Sequence, residues 1–252
     1  MKLYCWQFAF GLALILTVSL FATAKEKENE HEGQKVDSGS FGVFMGSHRV
    51  GTETFSIYQN QNGSVIESEF KTEGSTAPAA TQNSEMRLTA SGEIRRYDWR
   101  EVSPGKSQLT IVPNDQFLNQ KWTTGPQGKE GEQPYLLAPS TAILDDYFFV
   151  HREVLAWRFL AMACKQEKGQ IQCPIKQRVK FATLNPHQHS SAPGTMQCLG
   201  REKVTLKGTE QELTKLEMTT DSGTWYLWVD DRDQFKLMRI SIEGENTEVI
   251  RD

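Results

Sequence analysis

Residues 140–161, STAILDDYFFVHREVLAWRFLA, constrain the fold more than any other stretch of this chain. No Gly or Pro occurs between Ser140 and Lys168, so nothing in the backbone breaks the segment. Asp145 and Asp146 stand where acidic side chains favour a helix start. The spacing predicts a helix over about 143–162. At about 100° per residue, Ile143, Tyr147, Val150, Val154, Trp157 and Ala161 share one face, with Leu144, Phe148, Leu155, Phe159 and Met162 beside it. That apolar arc is about twice what packing on one sheet face requires. Such a helix has to be covered on several sides, and burying it contributes on the order of 10 kcal/mol at about 25 cal/mol per Å².

The covering material is predicted by the rest of the sequence, which reads as short strands. In TETFSIY, Phe55 and Ile57 alternate with Thr54, Ser56 and Tyr58, and NQNG at 60–63 closes a hairpin onto SVIESEFKT. EMRLTA, IRRYDWREV and QLTIV follow at close spacing with turns between them, the pattern of an antiparallel meander. Residues 113–139, rich in Pro, Gly, Gln and Asn, read as a long excursion anchored by Trp122 and Tyr135. After the helix come QIQCPIKQRVKFATL, a polar loop containing NPHQHSSAPGTMQ, and further strands up to TEVIRD. The expected fold is mainly β, of α+β class: a curved antiparallel sheet or half-barrel wrapped around one long central helix. A propeller or solenoid is disfavoured because no repeat of fixed period is visible.

The ends of the chain set the expected compartment. Lys2, an apolar run, and Ala22 and Ala24 ahead of Lys25 form a signal-peptide pattern over residues 1–24. Residues 25–39, KEKENEHEGQKVDSG, are charged and nearly devoid of apolar side chains and read as a flexible leader. A single β-rich domain is expected over 40–252, in a periplasmic or secreted protein cleaved near Ala24. Residues 1–24 carry only Lys2 among the charged residues, so their removal takes the formal net charge from -4 to -5. That balance argues against nucleic acid as a partner. The mean hydropathy of -0.52 and the lack of a second long apolar run argue against a mature chain that spans a membrane.

Cys164, Cys173 and Cys198 follow the leader, and three thiols allow three single pairings. Cys164 with Cys173 is favoured, because CKQEKGQIQC carries a polar turn containing Gly. A closed loop this short contributes roughly 2–3 kcal/mol.

Gly46 with VGTETFSI, the aromatic segment after AILDD, and the ending WYLWVD, FKLMRISIEG and EVIRD resemble a family of secreted bacterial proteins of unknown function. The resemblance covers most of residues 40–252 and implies a periplasmic antiparallel sheet around a helix. More distantly, that architecture is similar to the half-barrels that carry lipoproteins or lipids across the periplasm. It brings no catalytic residues with it.

The sequence contains no GxSxG elbow, Walker loop, dinucleotide fingerprint or HExxH, so no enzyme and no cofactor is expected. His187 and His189 flank a glutamine in a polar loop and read as solvated; with His151 they do not make a convincing metal set. Asp230, Asp231 and Asp233 form a turn cluster without the Gly and distant Glu of a calcium loop. Asp98 and Glu101 beside Trp99 read as exposed strand residues, with Trp99 packing inward or against a neighbour, and Trp225 and Trp228 as ordinary strand residues.

Two functions of different class fit these features. One is a non-enzymatic periplasmic binding or carrier protein that holds a lipid or other apolar small molecule between sheet and helix, with Tyr147, Phe148, Val154, Leu155, Trp157 and Phe159 as ligand-binding residues. The other is an envelope structural or assembly protein that acts through protein–protein contacts.

Overall fold

Strand alternation organises the molecule. Along TETFSIY the side chains of Glu53, Phe55 and Ile57 are buried on one face while Thr54 and Ser56 point the other way, and the same period of two runs through most later strands. The structure, a computed structural model, describes residues 33–252 apart from 75–78, 126, 139, 168–169 and 233. The segment expected as a signal peptide and residues 25–32 of the expected leader lie outside the described residues.

Eight strands make an N-terminal wing: β1 (Gln34–Met45), β2 (His48–Asn60), β3 (Gly63–Thr72), β4 (Thr81–Thr89), β5 (Ile94–Ser103), β6 (Gln108–Asn114), β7 (Phe117–Thr124) and β8 (Lys129–Leu136). A two-residue strand β9 (Ala142–Ile143) leads to helix α1 (Val150–Ala163) and a small hairpin, β10 (Lys165–Glu167) with β11 (Gln170–Gln172). The C-terminal wing holds β12 (Arg178–Asn185), β13 (Ser190–Leu206), β14 (Thr209–Thr220), β15 (Gly223–Asp230), β16 (Lys236–Ile242) and β17 (Thr247–Arg251).

The wings form one 15-stranded sheet in the order β8 to β1, then β17 to β12, then β9. First and last strands therefore meet at its middle, with Phe41 opposite Arg251. Neighbours are antiparallel except for β9, which runs parallel to β12. The sheet does not close through its backbone, because β8 and β9 remain edges. Edge β8 carries Lys129, Glu130, Glu132 and Pro134, residues that discourage pairing with another strand. The other edge is only two residues long.

The inner face and α1 share a core that includes Phe41, Ile57, Ile66, Tyr97, Ile111, Phe148, Phe159, Leu216 and Ile240. Trp228 faces the other way from Leu227 and Val229, and packs with Val204, Leu206 and Leu213 in a second small cluster. Gly51 keeps the inner face open for Phe70, since a side chain there would collide with that ring. The disulfide joins Cys164 at the helix end to Cys173, as the turn between them suggested. Cys198 is a buried free thiol.

Four sequence expectations are corrected. The helix starts at Val150 and not at 143: Ile143 is paired with Leu184 in a strand, and Leu144 N–H donates to the Leu184 carbonyl. The leader ends before β1 begins at Gln34, because Asp37 is held by an ion pair with Arg251. The excursion over 113–139 is largely β7 and β8, which extend the meander. The polar loop around 185–197 shrinks to a short tip, since β13 already begins at Ser190.

Candidate functional site

Two polar constellations lie inside this otherwise apolar sheet. The first anchors α1. Its N-cap residue Phe149 supplies no side-chain cap, and strand β2 provides one. Glu53 Oε2 accepts the Phe149 N–H at 2.7 Å, and both carboxylate oxygens lie 3.3 Å from the Val150 nitrogen. Ser68 Oγ donates to the same carboxylate at 2.5 Å. The charge complements the positive end of the helix, yet burial pushes Glu53 up to about 7 against these donors.

Four residues on, Glu153 meets β16 and β17, and through Arg251 it is linked to β1. It accepts from Arg251 Nη1 at 3.2 Å and from the Leu237 N–H at 3.0 Å, while Arg251 Nη2 donates to Asp37 at 2.7 and 2.8 Å. Burial holds Glu153 well above the usual carboxylate range, although Arg251 works in the opposite direction. Arg152 lies over the Trp225 ring at 4.2 Å and donates to the Asp145 carbonyl at 3.0 Å. Burial lowers its guanidinium to about 10.

The second constellation joins the two wings. Asp145, fully buried, accepts from the Tyr97 hydroxyl at 2.6 Å and from the Tyr147 N–H at 2.8 Å. His187 Nε2 lies 2.9 Å from Asp145 Oδ2, an ion pair when the imidazole is protonated. Burial raises Asp145, but His187, His151 and Tyr97 outweigh it and hold the carboxyl below its ordinary value. His187 is pushed down by burial and up by Asp145, and the net direction is up. His151 packs edge-on to Tyr97 with no hydrogen-bond partner on either ring nitrogen among the described residues. Burial lowers it to about 4, so it is neutral at pH 7.

Around Asp145 the turn between β12 and β13 lies against the N-terminal wing. His187 stands edge-on to Trp99 and Tyr147, with centroids 4.7 and 5.1 Å away. His189 lies against Trp122 at 4.2 Å. Gln120 Nε2 reaches the Pro186 carbonyl at 2.6 Å and His189 Nδ1 at 3.0 Å. Trp99 does pack inward, its Nε1 donating to Gln82 at 2.9 Å. The histidines read from sequence as solvated are therefore docked on aromatic rings. His151, considered with them as a ligand, lies on the helix, and no metal-binding group of three His, Cys, Asp or Glu occurs among the described residues.

Among solved structures, a β-barrel-like protein of the domain of unknown function DUF1849 from Brucella abortus aligns over 87% of this chain and 97% of its own, with TM-score 0.48 and 8% identity. No family model matches the chain, and no curated protein matches it significantly.

The six residues expected to bind a ligand do not surround one space. Tyr147 and Phe148 precede the helix. Tyr147 faces Phe70 and His187, and Phe148 is completely buried. Trp157 Nε1 donates to the Phe235 carbonyl at 2.8 Å, while Val154, Leu155 and Phe159 are packed into the core. Among the described residues, two small voids border the helix, one beside Leu155, Phe159 and Phe181 and one beside His151 and Val154, and each measures about 10 Å³. That is room for a single water at most.

The larger spaces lie outside. An open depression of about 670 Å³ runs over the outer face of β2–β6, past Thr54, Glu67, Glu69, Asn83, Asp98 and Thr110. A second, of about 810 Å³, continues over β5–β8 and shares Asp98, Gln108 and Thr110 with it. Sequence pattern did not reveal this trough, because alternating polar residues look the same on a flat and on a hollow sheet face.

Proposed function

We propose that the chain is a non-enzymatic binding protein, periplasmic or secreted once its apolar N-terminal segment is removed near Ala24, that acts on another envelope protein through its outer surface. The contrast in available space supports this reading: about 10 Å³ in each void beside the helix against about 670 Å³ in the outer trough. The Cys164–Cys173 disulfide fits an oxidising compartment. Both sheet edges are blunted, so strand addition is a poor route to a partner and the trough is the better one. Its mixed walls, with Glu67, Glu69 and Asp98 beside Arg100, suit a polar, reversible contact.

A photo-crosslinker placed at Asn83 should trap one partner in intact envelopes. Glu69→Lys with Asp98→Lys should lower that yield by about tenfold, the equivalent of about 1.4 kcal/mol. An unchanged yield in the double variant contradicts the assignment of the trough.

A carrier is the second reading, favoured by the unpaired edges of the sheet. In it Tyr147, Phe148, Val154, Leu155, Trp157 and Phe159 become the lining for a lipid or other apolar molecule only after α1 moves.

A further inference from the structure

The 15-stranded sheet curves until its two wings meet, and the place where they meet is unlike the rest of the molecule. Elsewhere each strand is joined to its neighbours by a backbone ladder. Between the tip at 185–190 and strands β5 and β7 no backbone–backbone hydrogen bond occurs among the described residues. The contacts there run through side chains: Gln120 to Pro186 and His189, His189 against Trp122, and His187 against Trp99 and Asp145.

The tip also holds its own shape. Asn185 Oδ1 accepts the N–H groups of His187 and Gln188 at 3.0 and 3.1 Å, a local turn that needs nothing from the other wing. His189 has φ of +50°, a left-handed backbone that histidine adopts more readily than most side chains. A self-supporting turn docked by side chains is able to leave its seat without unfolding. We infer that the 185–190 tip is a latch: it closes the seam between the two wings, and the seam parts there while the strand ladders on either side stay intact.

Opening uncovers the inner face at Trp99, Trp122 and Tyr147 and brings Asp145 toward water. It opens a route into the interior that breaks no ladder. The inference does not depend on what the protein binds.

Distances between nitroxide labels test it in the full mature chain. One pair, at Gln188→Cys and Lys121→Cys, spans the seam; a reference pair, at Lys71→Cys and Arg95→Cys, lies within the N-terminal wing. Cys198 is buried and escapes labelling. Replacing Gln120 and His189 by alanine should broaden and lengthen the seam distance while leaving the reference distance unchanged. If the seam distance keeps its width, or the reference pair broadens with it, the latch is refuted. Should the double alanine variant not fold, the unsubstituted seam answers the same question in denaturant below the unfolding midpoint. The seam distance should then broaden first, and simultaneous change at both pairs overturns the inference.

Discussion

The helix anchor and the seam are both polar contacts between distant parts of the chain, and they are built in opposite ways. At the anchor Glu53, Glu153, Arg251 and Asp37 are nearly or wholly buried, and each charge meets an opposite charge or several N–H donors. At the seam, His187 and His189 are half-buried and lean on rings, while Asp145, Tyr97 and Gln120 are sealed from water. A buried charge network is costly to break because a lost partner leaves its mate without water. A half-buried ring contact is cheap to break because water replaces it. The anchor is thus expected to be permanent and the seam reversible.

The sharpest way to break this contrast is Arg251→Met. It leaves Glu153 and Asp37 buried without their cation, and chemical denaturation should show a loss of about 3–5 kcal/mol. A loss below about 1 kcal/mol means the anchor is no stronger than a surface pair. Adding Glu153→Leu and Asp37→Leu to that variant should recover much of the loss, since the uncompensated charges are then gone.

Acidification separates two buried groups near the helix start. Glu53 is raised from 4.5 to about 7, so its contribution is fully present below 4.5 and is lost as pH rises through 7. His151 is lowered from 6.5 to about 4, so its contribution is present above 6.5 and is lost as pH falls through 4. Each shift corresponds to about 3 kcal/mol across its window. Relative to the native chain, Glu53→Gln should become less stable, and His151→Phe more stable, as pH is lowered from about 7.5 to about 4.5. Thermal unfolding at the two pH values checks both signs; the same trend in both variants contradicts the assignment.

Next in size is the disulfide. Replacing Cys164 and Cys173 by serine should cost roughly 2–3 kcal/mol, without moving α1, because the closed loop lies beyond the helix end. A larger loss, together with changed Trp157 fluorescence, makes the hairpin part of the anchor. The smallest effect is expected at the seam, where His189→Ala should cost less than about 1 kcal/mol. A loss comparable to Arg251→Met erases the distinction between the two regions.

Much of the sheet was legible because Phe55, Ile57 and their successors alternate cleanly and NQNG is a strong turn signal. The central helix was visible, but its start was not. Ala142, Ile143, Leu144, Phe148 and Phe149 are buried ahead of the helix in a short strand and a bent connection, and a run of consecutive buried residues hides the difference between strand and helix periods. The cap that begins the helix comes from Glu53, far away in sequence, so Asp145 and Asp146 took its place in the reading. In β7 and β8 the residues Pro134, Gly131 and Gln120 look like loop composition. Gly131 is there because Trp122 lies across it, and Gln120 because it serves the seam. Pairings such as His187 with Asp145 carry no local signal, since they join residues distant in sequence.

Native mass spectrometry of the chain from residue 25 onward, purified without detergent and then extracted with solvent, tests most directly whether α1 is a fixed part of a filled core. The account predicts the bare mass of the polypeptide and an empty extract. A reproducible adduct of lipid mass contradicts it, and makes the helix a displaceable plug in a carrier.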